Sequence, residues 1–215
     1  RDCLSQLGIT APTIHAQFGT EYDLSSPDPR IREQALQSVF AAIDLAAFFG
    51  SQIVVVHASA EPIQDSTRQG RITHVREGLA KIGERSRKAR KKIAVELLPR
   101  TCIGNTLEEL LDLIAPFEDG SMGVCLDTNH FMSNPGALPH AVRVLGCRLL
   151  TLHLSDYDGV DEKHWLPGRG VIDWSAFMKA LRDIHYDGPF IYECSFRPSE
   201  RLQMICENYS WLAAQ

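Results

Sequence analysis

The sequence predicts an α/β fold in which helices connect the strands of a parallel sheet. Short apolar runs alternate with longer segments of helical period along the 215 residues. The apolar runs are rich in Val, Ile and Leu at successive positions, which is typical of strands buried on both faces. The alternation itself is the second observation, because parallel neighbours must be joined by a long crossover connection, usually a helix.

Six short segments are predicted as strands, because each is an apolar run bounded by glycine, proline or polar residues. In chain order they are Ile9–Ala16, Gln52–Ala58, Lys92–Leu98, Met122–Asp127, Leu149–Leu154 and Pro189–Cys194. Apolar residues at helical spacing predict helices over Pro29–Phe49, Arg71–Arg90, Thr106–Phe117, Ala137–Leu145, Trp174–His185 and Glu200–Ala213. Gly50 and Gly146 fall where helices end, and the pair Asn105-Thr106 and Asp173 are predicted N-caps.

The composition excludes or disfavours several classes of protein. With 44% apolar and 23% charged residues, the chain has enough apolar residues to form the hydrophobic core of one globular domain. Its longest apolar stretch, Val39–Phe49, is broken and falls short of the roughly 18 residues of a membrane span. The net charge of −5 disfavours nucleic acid as a partner, because such proteins usually present a basic face. The six cysteines include no Cys-x-x-Cys pair, which predicts free thiols and a cytoplasmic location.

Polar side chains stand at the C-terminal end of every predicted strand. In chain order they are His15, His57, Glu96, Asp127 with His130, His153 with Asp156, and Glu193 with Ser195. All strands of a parallel sheet end at the same rim, so residues far apart in sequence meet there. The sequence therefore predicts one functional site at this rim.

The residue types at the rim predict a metal site. Glu96, Asp127, His153 and Glu193 offer three carboxylates and one imidazole, a hard-oxygen set that suits Mn²⁺ or Mg²⁺ and tolerates Co²⁺ or Zn²⁺. Three carboxylates without a cation would repel one another. The alternative is that some of them pair with nearby basic side chains. These are Arg100, Lys163 and Arg169.

Five segments resemble the xylose-isomerase-like TIM-barrel superfamily of sugar isomerases and epimerases. They are IAVELLPR (93–100), GVCLDTNHF (123–131), LLTLHLSDYDG (149–159), HWLPGRGVIDW (164–174) and GPFIYECSF (188–196). The most specific pieces are LDTNH and the stretch His-x-x-PGRG-x-IDW. The resemblance covers nearly the whole chain and implies a TIM (β/α) barrel.

The resemblance also implies a reaction and a set of site residues. One divalent ion would be bound by Glu96, Asp127, His153 and Glu193. The two glutamates would move a proton next to a carbonyl through an enediolate intermediate. The substrate, a small sugar or sugar-like molecule, would be contacted by residues at the rim and in the following loops. These are His15, His57, Arg100, His130 and His164. Trp165 and Trp174 are candidates to pack against a sugar ring, although tryptophans more often lie in the core.

Two features depart from the superfamily pattern. A complete barrel has eight strands, but only two predicted strands precede Glu96. Residues 1–215 are therefore expected to form a single TIM-barrel domain that lacks the first two strands, and open sheet edges would favour a homo-oligomer. Ketose 3-epimerases of the tagatose and psicose type carry an arginine six positions beyond the ligand histidine, where this chain has Gly159. That difference argues against a free ketohexose as substrate.

Two other functions remain open. Endonuclease IV, a three-zinc enzyme of the same superfamily, has additional ligands that resemble His15, His57, His130 and the segment 162–164. The negative net charge and the PGRGVIDW segment favour the isomerase. The third possible function is that of an inactive carbohydrate-binding relative. The intact set of four predicted ligands argues against it. Counting bound metal separates the three, with about one ion for an isomerase, two or three for the nuclease and none for an inactive relative.

Overall fold

Six parallel strands alternate with helices in the computed structural model, which describes residues 2–132, 134–195 and 202–215. The strands are β1 (Thr13–His15), β2 (Ile53–Val56), β3 (Lys92–Glu96), β4 (Met122–Asp127), β5 (Leu149–Leu154) and β6 (Phe190–Tyr192). They form one sheet in the order β1-β2-β3-β4-β5-β6. The predicted α/β class with a parallel sheet is confirmed.

Seven α-helices are found among the described residues. They are α1 (Asp2–Gln6), α2 (Pro29–Phe49), α3 (Asp65–Ala89), α4 (Leu107–Ile114), α5 (Leu138–Leu145), α6 (Trp174–Asp183) and α7 (Leu202–Ala213). Of the last predicted helix, Glu200 lies outside the described residues. In the part of the chain that the structure describes, no helix is both long and apolar enough to cross a bilayer.

The described chain divides into two compact units, one up to Cys125 and one from Leu126. In the first unit, β2 is buried at all four positions and pairs in parallel with β1 and β3. Helix α2 begins after Asp28, whose side chain accepts a hydrogen bond from Arg30 N at 2.8 Å, and ends at Gly50 in the left-handed conformation. Its buried face packs against α3.

The second unit contains the end of β4 and the pair β5–β6. His153 of β5 lies in register with Ile191 of β6. Helices α5 and α6 pack against each other, and Phe177 of α6 is fully buried. The side chain of Asp173 caps α6 by accepting from Ala176 N at 2.9 Å, as predicted. The single domain over residues 1–215 stays a prediction.

Candidate active site

In the first unit, two imidazoles converge on one carboxylate oxygen. His15 ends β1, His57 follows β2 and Glu96 ends β3. Nε2 of His15 and Nε2 of His57 each lie 3.2 Å from Oε2 of Glu96, whose side chain is buried. The strand ends therefore bring these three predicted site residues together.

The contacts of His15 constrain its protons. Its Nδ1 lies 2.7 Å from the carbonyl oxygen of Ala16, and its Nε2 faces the carboxylate of Glu96. Both partners are acceptors, whereas a neutral imidazole carries only one N–H. The contact with Glu96 is therefore satisfied by a proton shared between Nε2 and the carboxylate or by a cation bound to both groups. A ring nitrogen that donates to a backbone carbonyl is also the usual arrangement of a metal-binding histidine.

Phe18 adds an exposed aromatic wall beside these histidines. It lies in the loop that follows β1, and its side chain is 58% exposed. Its ring centroid lies 4.5 Å from that of His57 and 5.2 Å from that of His15. Phe18 is not predicted from the strand ends, because it lies three residues beyond the end of β1. The sequence feature that could have predicted it is an aromatic residue in the loop that follows a strand-end histidine.

Arg100 makes a different contact within the first unit. Its Nη2 lies 2.6 Å from Oε1 of Glu61, and its Nε donates to the same oxygen at 2.8 Å. Both side chains are about one-third exposed. The predicted role of Arg100 at the substrate remains a prediction.

In the second unit, Asp127, His153 and Glu193 form a cluster suited to a metal ion. One ligand atom of each lies within 4.8 Å of those of the other two. Nδ1 of His153 is 2.8 Å from Oε2 of Glu193. Asp127 and His153 are buried, whereas the side chain of Glu193 is 42% exposed. Oδ1 of Asp127 accepts from Asn129 N at 2.6 Å, which orients this carboxylate.

Two further predicted site residues lie in the second unit. Nε2 of His130 is 3.3 Å from Oε1 of Glu162 and 3.8 Å from Oδ2 of Asp127. Nδ1 of His164 is 3.0 Å from the backbone carbonyl oxygen of Glu193. His130 therefore lies beside the acidic cluster, and His164 contacts the main chain of one of its members.

The donor set of the second unit fits a divalent cation. Asp127, His153 and Glu193 provide two carboxylates and one imidazole, and Glu96 provides a buried carboxylate flanked by two imidazoles. Buried carboxylates are costly unless they are paired with a charge or bind a metal. Carboxylate oxygens with a minority of imidazole suit Mn²⁺ and Mg²⁺, while a larger share of imidazole favours Zn²⁺.

Two neighbouring ionisable groups keep their protons at neutral pH. Burial, followed by the negative charges of Asp127 and Glu193, raises the pKa of the Cys194 thiol to about 12. Burial, followed by the charge of Asp156, raises the pKa of Tyr157 to about 12. The Tyr157 hydroxyl accordingly donates to the carbonyl oxygen of Met132 at 2.7 Å. Neither group is suited to act as a nucleophile or a base.

The two candidate ring-stacking tryptophans differ in their surroundings. Trp174 is buried at the start of α6, and its indole N–H donates to Oδ2 of Asp156 at 2.8 Å. Trp165 is 38% exposed and exchanges two backbone hydrogen bonds with Asp156. Trp174 is therefore part of the core, and only Trp165 presents its ring to solvent.

A family model described as a xylose isomerase-like TIM barrel matches residues 1–215. The chain is 27% identical over 199 residues to a D-psicose 3-epimerase of Ruminiclostridium cellulolyticum, and the alignment covers 89% of this chain and 65% of that protein. It is 25% identical over 198 residues to a probable endonuclease 4 of Sulfurihydrogenibium sp., which covers 84% of this chain and 70% of that protein. The chain thus spans about two thirds of the length of both relatives.

A solved structure has the same fold. The crystal structure of a D-tagatose 3-epimerase-like protein superposes with a TM-score of 0.85 at 22% identity, covering 99% of this chain and 82% of that one. At this identity the likeness demonstrates the fold alone. The TIM-barrel fold class predicted from the sequence is confirmed.

Proposed function

Because the chain belongs to the xylose isomerase-like TIM-barrel family, we propose that it is a metal-dependent sugar isomerase or epimerase. The reaction removes a proton next to a carbonyl group and returns it through an enediolate intermediate. The observation that carries the proposal is the cluster of Asp127, His153 and Glu193, which fits a divalent ion. The sugar 3-epimerase among the relatives supports the reaction class.

The proposed ligands of the ion are the four predicted from the sequence. Asp127, His153 and Glu193 are supplied by the second unit. Glu96 is the proposed fourth ligand, because it lies in register with Cys125 of β4 and the same strand ends two residues later at Asp127. We propose Mn²⁺ or Mg²⁺, since three of the four ligands are carboxylates. When bound, the ion would stabilise negative charge on a substrate oxygen.

Glu96 and Glu193 are the proposed proton-transfer groups. The side chain of Glu193 is 42% exposed, compared with 2% for Glu96, so the two glutamates differ in their exposure to solvent. A general base must come within hydrogen-bond distance of the proton that it removes. The carboxylate of Glu96 is held by the two histidines that contact its Oε2. This difference in environment supports different tasks for the two glutamates.

The proposed substrate is a small sugar or a sugar-like carbonyl compound. His15, His57, Arg100, His130 and His164 remain the proposed substrate contacts, and the exposed ring of Phe18 offers an apolar surface for the C–H face of a sugar. Gly159 continues to argue against a free ketohexose. Manganese as the ion, the cytoplasm as the location and a homo-oligomer stay predictions.

Solvent-deuterium incorporation tests the proposal before the product is known. The purified chain, loaded with Mn²⁺ or Mg²⁺, is incubated in D₂O with a panel of ketoses, aldoses, hydroxypyruvate and inososes. We expect deuterium to enter at the carbon next to a carbonyl of at least one compound. Glu193→Gln should abolish the exchange. Glu84→Gln is the matched control, because Glu84 is an exposed glutamate on α3 that pairs with Lys88.

A zinc nuclease is the second candidate, and the surroundings of Glu96 favour it. His15 and His57, which resemble additional zinc ligands, both place Nε2 at 3.2 Å from the same oxygen of Glu96, and Nε2 of His130 lies 3.3 Å from Oε1 of Glu162. The endonuclease 4 relative supports this alternative.

The two functions give different results in the same preparation. A duplex oligonucleotide with an abasic-site analogue is added to the Zn²⁺-loaded chain. Cleavage of this duplex without deuterium exchange in any carbonyl compound would replace the isomerase by the nuclease. The absence of both activities and of bound metal would leave an inactive carbohydrate-binding protein.

A further inference from the structure

The carboxylate of Asp156 collects four hydrogen bonds in the interior of the second unit. Asp156 follows β5 and is fully buried. Its Oδ1 accepts from the backbone N–H of Tyr157 at 2.9 Å and of Ile172 at 3.3 Å. Its Oδ2 accepts from Gly168 N at 2.9 Å and from the indole of Trp174 at 2.8 Å. Four N–H donors offset much of the cost of burying a carboxylate, because hydrogen bonds to charged acceptors are strong.

These donors come from both ends of the segment 157–174, so one side chain ties the segment together. The backbone of Asp156 also contacts this segment. Its N–H donates to the carbonyl oxygen of Trp165 at 2.7 Å, and its carbonyl oxygen accepts from Trp165 N at 2.9 Å. A Cβ atom on Gly170 would lie 2.3 Å from Oδ1 of Asp156 and 2.1 Å from the carbonyl oxygen of Tyr157. The second glycine of the PGRG motif is therefore required by the close approach to this carboxylate.

The same segment holds the main chain around Glu193. Nδ1 of His164 lies 3.0 Å from the carbonyl oxygen of Glu193, and the carbonyl of His164 accepts from Ser195 N at 2.8 Å. His164 has a positive φ of 50°, which is uncommon for a residue other than glycine and is maintained only where the surroundings fix the backbone. The contacts thus run from Asp156 through Trp165 and His164 to Glu193.

We infer that Asp156 is a positioning residue for Glu193: its carboxylate fixes the segment 157–174, and His164 in that segment fixes the backbone from which the Glu193 side chain extends. This role rests on the proposed function, in which Glu193 binds the metal ion. Asp156 is not one of the four proposed ligands, and its carboxylate is occupied by the four N–H donors. A small displacement of the Glu193 backbone weakens metal binding, because the geometry of a ligand depends on the groups that orient it.

Asp156→Asn tests the inference with little change in size. In the variant, an amide nitrogen replaces one carboxylate oxygen that accepts two hydrogen bonds. An amide nitrogen cannot accept from an N–H group, so at least two of the four hydrogen bonds are lost. We expect the affinity for Mn²⁺, measured by calorimetry well below the unfolding temperature, to fall by at least about 10-fold. We also expect amide hydrogen exchange at Ser195 to become faster. Asp173→Asn is the matched control, because it removes a nearby exposed carboxylate whose hydrogen bond goes only to the N-terminus of α6.

Two further variants separate position from charge. Trp174→Phe removes one donor and Gly170→Ala pushes against Oδ1, and both keep the negative charge of Asp156. If position matters, both should weaken Mn²⁺ binding and accelerate exchange at Ser195. If only charge matters, neither should do so, and the inference is wrong. Trp174→Phe also decides the question if Asp156→Asn fails to fold.

The outcomes distinguish this inference from the proposed function. A folded Asp156→Asn that binds Mn²⁺ within about twofold of the parent, with unchanged exchange at Ser195, would overturn the inference and leave the proposed function intact. If the parent binds neither Mn²⁺ nor Mg²⁺, the proposed function fails. Exchange at Ser195 then still decides whether Asp156 holds the backbone of residues 193–195.

Discussion

Replacing Glu193 by Gln separates its role as a ligand from its role as a base. The substitution keeps the length of the side chain and one oxygen that can bind a metal, but it removes the basic carboxylate. The local backbone should be preserved, because Glu193 N donates to Leu154 O at 3.1 Å and Glu193 O contacts His164, and neither contact uses the side chain. One side-chain contact that changes is that of 2.8 Å between Oε2 of Glu193 and Nδ1 of His153.

The expected loss follows from what remains at the site. Asp127, His153 and the proposed ligand Glu96 are unchanged, so metal affinity should fall but excess ion should restore occupancy. The base is not restored by excess ion. Because a positioned general acid or base contributes about 10²- to 10⁴-fold, kcat should fall by at least about 100-fold at saturating Mn²⁺. The half-exposed side chain makes only a small contribution to the core, so the thermal unfolding temperature should change little.

The assay is the initial rate of deuterium exchange over a titration of Mn²⁺, with Glu84→Gln as the control. A plateau far below that of the parent supports proton transfer by Glu193. If saturating metal restores Glu193→Gln to within about tenfold of the parent, Glu193 is a ligand only. The base would then have to be sought among His130 and Glu96.

Three further predictions address the wall of the site, the fold and the ion. Phe18→Ala should raise KM by about 2- to 10-fold, because an aromatic surface for the substrate is lost. The free energy of unfolding should fall by less than about 0.5 kcal/mol, because the ring is mostly exposed. A large loss of stability with unchanged KM would make Phe18 a structural residue. Thr106→Ala should cost about 1 kcal/mol in urea unfolding, because its side chain caps α4 by accepting from Glu109 N; the mid-helix control Thr73→Ala should not. Mn²⁺ at about 100 times its Kd should stabilise the chain by about 2.7 kcal/mol, reversibly with a chelator, and an unchanged unfolding curve would contradict binding to the folded state.

The elements predicted best from the sequence are those whose ends have a local chemical cause. Helix α2 has the predicted bounds Pro29–Phe49, because Asp28 caps its start and Gly50 ends it. Strands β4 and β5 also have the predicted bounds, and nearly all of their residues are buried. Strand β1 is shorter than the predicted Ile9–Ala16, since Pro12 has no N–H for the ladder and Ile9 is exposed.

The start of α3 was predicted wrongly for a physical reason. The helix begins at Asp65 rather than at Arg71, and Gln64 before it makes no side-chain capping bond. The first turns are held instead by distant contacts, in which Arg68 pairs with Glu109 and donates to the carbonyls of Thr101 and Cys102. Local propensity contains no information on such contacts, and glycine, which stands at position 70, is a poor helix former.

The candidate site could be predicted only in part. Strand-end residues were predictable, because parallel strands place their C-terminal ends on one rim. The contacts that orient them were not, since they depend on how the loops fold. Asp156 was noticed as a strand-end residue, but its four donors are spread from Tyr157 to Trp174 and become visible only in the folded chain.

The number of bound metal ions tests the central claim most directly. The chain is dialysed against Mn²⁺ or Zn²⁺, and the bound metal is counted by elemental analysis for the parent and for His57→Gln. The proposed isomerase site predicts about one ion per chain in both proteins, because His57 contacts Glu96 but is not one of the four proposed ligands. A parent with two or three ions, reduced in His57→Gln, or a parent with none, would contradict the account.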